Sequence, residues 1–199
     1  METCFNIGFG LLRACKSKLN SQGCCIVQPK LGFSIRFANF EVLKLSNMQT
    51  GLLHLHSLLR WVLLILLLVM IYRAFTGKRS GRSFDSTDRK FSLFTMISAH
   101  LQLVIGLVLY VMNDTVMTSL SNMASVMKDS GLRFLVVEHI STMIIGIVLI
   151  TIGHIKAKRA TTDASKFQSI FVFFLIGLLL ILSRIPWPFM EVGQGKGWF

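Results

Sequence analysis

Four apolar blocks, each about 20 residues long, constrain this chain more than any other feature, because a helix of that length crosses a hydrocarbon layer of ~30 Å. They run from Leu52 to Tyr72, Leu93 to Met112, Phe134 to Gly153 and Phe167 to Ile185. Soluble interiors use shorter alternating or amphipathic stretches. A composition of 53% hydrophobic and 15% charged residues agrees with a membrane protein and not with a water-facing globule. Helices satisfy their own backbone hydrogen bonds in lipid, so the expected fold is all-α, a four-helix transmembrane bundle in a lipid bilayer. The longest connection between blocks, Asn113 to Arg133, has 21 residues and leaves no room for a separate catalytic domain.

A formal charge of +12 would suggest a nucleic-acid binder in a soluble chain. Here the basic residues cluster between apolar blocks, which makes them a topology signal, and no nucleic acid is expected as a partner. The connection after the first block holds Arg73, Lys78, Arg79, Arg82, Arg89 and Lys90 against Asp85 and Asp88. The connection after the third holds Lys156, Lys158, Arg159 and Lys166 against Asp163. Both are expected to be cytoplasmic, which puts both termini on the outer side. Pro186 and Pro188 stop the last helix, and Tyr110 and Trp187 fall where an outer aromatic belt would lie. Three blocks carry polar residues. Only the fourth, uninterrupted from Ile170 to Leu182, reads as plain lipid-facing helix.

Residues 1–47 differ in kind, with all four cysteines, six basic residues against Glu2 and Glu41, and no sustained periodicity. They read as an extension, non-native or targeting and without ordered structure, with Met48 as the expected natural start and 48–199 as the bundle. The bundle then contains no cysteine and supports neither a disulfide framework nor a thiolate metal site.

Ionisable groups at membrane depth cost about 2.5–3.5 kcal/mol on insertion scales and mark sites. Five histidines lie in or beside three of the blocks. Imidazole binds iron without adding charge to a dry site, and two imidazoles from different helices at one depth suit a b-type haem. At ~1.5 Å rise per residue, His56 comes about 5 Å and His139 about 10 Å inside the outer boundary, whereas His100 comes about 18 Å inside and His154 falls at the inner edge. His56 and His139 are therefore the candidate iron ligands. His54 points about 200° away from His56 on a helix and cannot face the same iron.

Arg60 shares a helix face with His56 at i, i+4 and is too deep for comfortable solvation. With Arg133 and Arg184 it is a candidate counter-ion for haem propionates. Glu138, nearest in depth, is its expected partner and a candidate proton acceptor at a quinol site. His100 with Gln102 is a candidate lining of a quinone pocket or of a second cofactor site. The seven-residue recurrences His139, Gly146, Gly153 and Ser92, Ala99, Gly106 read as close helix packing or as an approach for a flat ring. No phosphate-binding glycine loop, metalloprotease helix or nucleophile elbow occurs in the chain.

The strings LHLHSLLRW, LFTMISAHLQLVIGLVLY, RFLVVEHISTMIIGIVLITIGH and RIPWPF, in this order, resemble a family of small four-helix bacterial inner-membrane proteins labelled cytochrome b. The resemblance covers about Thr50 to Phe189 and omits the N-terminal stretch. HSLLRWVLLILLL, LQLVIGLVLY and VEHISTMIIGIVLIT are more distantly similar to one helical half of haem A synthase. Residue by residue, the haem histidines of that enzyme family fall on His56 and His139. Its glutamate four residues before the first ligand would fall on Leu52, and the chain has four helices instead of eight, so haem A synthesis is not implied. The resemblance implies a b-type haem electron-transfer protein, quinol-linked or working with other membrane subunits. The competing expectation is a cofactor-free membrane subunit or assembly partner. A small transporter is weaker, since the spans show neither an inverted repeat nor an internal proline.

Overall fold

A computed structural model describes the backbone of residues 34–187 and the side chains of residues 47–187. The chain divides into two compact units, Met1–Lys44 and Leu45–Phe199, and the bundle belongs to the second. The first helix, α1 (Ser34–Arg79), begins inside the stretch expected to lack structure. Residues 1–33, with all four cysteines, lie outside the described residues. Then follow α2 (Ser86–Met112), three short helices α3 (Asp114–Ser119), α4 (Met123–Lys128) and α5 (Ser130–Arg133), a π-helical turn (Phe134–Glu138), α6 (His139–Arg159) and α7 (Asp163–Ser183). No strand occurs among the described residues.

Four helices are long and apolar enough to cross a membrane: Asn47–Arg79, Ser86–Met112, Ser130–Arg159 and Asp163–Ser183. Each extends past its apolar block, so most of the basic residues expected in connections stand on helix ends. α1 stops at a tight turn in which Gly81 takes φ +64°, a conformation that favours glycine. α2 starts at a reciprocal cap. The Asp85 carboxylate accepts the Asp88 N–H at 2.8 Å, and the Asp88 carboxylate accepts the Asp85 N–H at 3.4 Å. Thr162 caps α7 by accepting the Ser165 N–H at 3.3 Å.

The spans form a ring. α1 meets α2 where Gln102 donates to the His56 carbonyl, and meets α7 where the Phe75 and Phe171 rings lie 5.7 Å apart. α6 meets α2 through Ser92 and His154, and meets α7 where Gly146 and Gly177 let the backbones approach. α1 and α6 therefore occupy opposite corners. Leu67, Met70, Ala99, Ile150, Phe167, Ile170 and Phe174 are fully buried between the helices.

α7 is not lipid-facing all round, since Phe167, Ile170, Phe174, Gly177, Leu178 and Ile181 are buried inside the bundle. Leucine and phenylalanine suit lipid and protein neighbours equally, so apolar content cannot tell the two apart. The small-residue recurrence serves packing at Gly146 and Gly153, since a methyl on Gly153 would lie 2.7 Å from Phe173 Cβ. Beyond the opposite end, Val116 and Val126 of the short helices pack on Val136 of the π turn, and Tyr110 donates to the Val136 carbonyl at 3.0 Å.

At the basic end the first two spans are joined by a buried carboxylate. Asp88 is fully buried and accepts from Arg73 at 2.7 and 2.8 Å and from Arg82 at 2.8 and 3.0 Å. The Asp88 N–H that caps on Asp85 holds the Asp85 carboxyl below the usual carboxylate range, helped by Arg82 and Arg73 nearby.

Candidate functional site

His56 lies on α1, half-buried, with its ring against Gly106 of α2; a methyl there would stand 3.1 Å from Cε1. Its backbone carbonyl accepts from Gln102 Nε2 at 2.9 Å. The His56 ring makes no hydrogen bond among the described residues, and its Nδ1 is fully buried. Gln102 Oε1 is likewise buried without a partner. Such atoms are rare in native interiors, because desolvating one without compensation costs about 1–3 kcal/mol.

His139 opens α6 directly after the π turn. Its Nδ1 lies 2.8 Å from the Arg184 carbonyl. A carbonyl only accepts, so Nδ1 carries the proton and the lone pair of the neutral ring sits on Nε2. Metal-binding imidazoles are held in this way, with one nitrogen donating to a carbonyl and the other presented to the metal. The Arg184 carbonyl is available because it stands at the C-terminal end of α7, where helical acceptors lack intrahelical donors.

The expected Arg60–Glu138 pair does not form. Glu138 binds Arg133 Nε at 2.8 Å and Arg184 Nη1 at 2.9 Å. The π turn explains the first contact, since its wider winding brings residues five apart onto one side. Arg60 instead places its guanidinium 5.5 Å from the centre of the Trp61 ring. Two of the three arginines considered as propionate counter-ions are thus engaged by Glu138.

His100 and Gln102 are not brought together. Gln102 turns to α1, whereas His100 is exposed on the bundle surface, with Nδ1 donating to the Met96 carbonyl at 2.8 Å and Nε2 3.5 Å from Thr151 Oγ1. His54 is exposed, as its offset from His56 requires. His154 lies toward the basic end, 2.8 Å from Ser92 Oγ. Among the described residues no group of three or more His, Cys, Asp or Glu side chains could hold a metal ion.

The unbonded His56 Nδ1 and the Nε2 lone pair of His139 are the groups that could hold a haem between α1 and α6, and the space over Gly106 is filled by the His56 ring itself. The Asp85/Asp88 cap and the π turn were not anticipated. The first was legible as two aspartates three apart before an apolar run; the second has no composition signal. Comparison with protein-family models, with curated proteins and with solved structures finds no match to this chain.

Proposed function

We propose that this integral membrane protein is a b-type haem electron-transfer protein of a bacterial inner membrane, with both ends of the bundle outside and His56 and His139 as the residues that would hold the haem iron. The observation that carries the reading is the half-buried His56 ring, whose Nδ1 is buried and unbonded among the described residues. Bound haem would supply one-electron transfer. The chain's own part is to hold the His139 tautomer through the Arg184 carbonyl, to keep the His56 ring against Gly106, and to offer Arg60 to a propionate. Protonating Glu138 would break both of its ion pairs, so the proposal needs no quinol proton acceptor at that residue.

The test is the reduced-minus-oxidised visible spectrum of the full chain produced with haem available. A six-coordinate signature is expected, lost in His56→Ala and in His139→Ala and kept in His100→Ala. Loss in His100→Ala with retention in His56→Ala would reassign the ligand pair. A wild-type protein that binds no haem would favour the cofactor-free membrane subunit. One observation supports that second reading: His139, Glu138, Arg133 and Arg184 already close one end of the bundle through contacts with each other.

A further inference from the structure

A second polar feature lies at the basic end, away from the histidine pair. A cavity of about 350 Å³ opens where the start of α2, the end of α6 and the start of α7 converge. It is lined by Arg89, Lys158 and Lys166, with His154, Phe84 and Leu93 completing its walls. The volume falls at the small end of the ~300–1,000 Å³ range of ligand pockets.

Three cations face this cavity; among the described residues Lys166 is already paired with a carboxylate, Arg89 and Lys158 are not, and the other carboxylates of this end are committed elsewhere. Asp88 is held by Arg73 and Arg82, Asp85 caps α2, and Asp163 binds Lys166 at 2.8 Å. Arg89 and Lys158 make no side-chain hydrogen bond or ion pair among the described residues. The cavity therefore carries surplus positive charge that a small anion with several acceptor oxygens would complement.

The apolar surroundings decide between a dissolved anion and an amphiphile. Leu93 lies one turn into α2 from Arg89 and is 39% exposed, and Ile97, one turn further, is 48% exposed. These side chains continue from the cationic cavity along the lipid-facing side of the span. A lipid offers both parts at once, a phosphate at the level of the helix ends and an acyl chain beside the apolar stripe. We infer that this cavity binds the phosphate headgroup of an anionic phospholipid, with Arg89 and Lys158 as the principal contacts, Lys166 behind them, and an acyl chain along Leu93 and Ile97.

The experiment compares retention of phosphatidylglycerol and of phosphatidylcholine by the full chain, extracted from nanodiscs of each lipid and measured by native mass spectrometry. Phosphatidylglycerol is expected to remain bound. Arg89→Gln/Lys158→Gln should weaken its retention roughly thirtyfold, the effect of two basic groups at an anionic lipid surface. Arg79→Gln/Arg159→Gln removes the same charge from the same end outside the cavity and should change retention less than threefold. Arg89→Glu, a single exposed change, gives an independent measurement and should also release the lipid. Equal losses in the two double variants, or equal retention of phosphatidylcholine, would overturn the proposal. So would thermal stabilisation by inorganic phosphate that matches stabilisation by phosphatidylglycerol, since that would assign the cavity to a dissolved anion.

Discussion

Asp88 near one end of the bundle and His56 toward the other are both polar side chains drawn into an apolar interior, and their surroundings treat them differently. Asp88 is met by two guanidinium groups and caps a helix as well. His56 meets a glycine, and its buried Nδ1 meets no donor or acceptor among the described residues. A buried group whose bonding capacity is filled by its own fold holds that fold together. One left unfilled is a cost to folding that its own fold does not repay.

The difference is open to measurement. Asp88→Asn should destabilise the bundle most, by about 3 kcal/mol, because two guanidiniums lose their carboxylate. The value stays at the lower end because Arg73 and Arg82 are themselves 28% and 36% exposed. Unfolding in mixed micelles would give the figure, and a cost below that of His56→Leu would break the contrast. Gly153→Ala should cost about 1–3 kcal/mol in the same assay, since the new methyl meets the unyielding Phe173 Cβ at 2.7 Å.

His56→Leu should leave the haem-free bundle within about 1 kcal/mol of wild type while removing the haem spectrum, because it replaces an unpaired polar group by an apolar one. Destabilisation as large as that of Asp88→Asn would make His56 a structural residue. Gly106→Ala, whose methyl would meet His56 Cε1 at 3.1 Å, should shift the spectrum more than the stability.

The smallest effect concerns acid. The Asp85 carboxyl titrates below its ordinary range, so its contribution is complete above about pH 4 and is lost as pH falls through the folded-state value. Asparagine also caps helices well, so Asp85→Asn should match wild type at neutral pH and lack the acid-dependent step. Helix content followed by circular dichroism from about pH 5 to about pH 2 would show whether the step is missing.

The four spans were legible because a membrane imposes one length on every crossing, and a sum of hydropathy finds it. Relations between spans were less legible. Depth arithmetic placed Glu138 at the level of Arg60, but height says nothing of the direction in which a side chain leaves its helix, and the π turn gives Glu138 to Arg133 and Arg184 instead. The same gap hid the burial of α7. His100 and Gln102 sit two residues apart, and helical geometry alone was enough to separate them.

The π turn at Phe134–Glu138 is one residue of surplus winding in the third span. Deleting a single residue there would restore the ordinary pitch with little rotation, because four residues of α-helix turn through ~400°, close to the turn of the five residues wound as π. Arg133 and Glu138 would then stand four residues apart on ordinary helix, still on one side, and the short helices would keep their direction relative to α6. The seam of Gly146 and Gly153 against α7 would keep its register. The turn behaves as an expansion joint, in which a change of one residue in length is taken up locally and the loop outside the bundle keeps its aim.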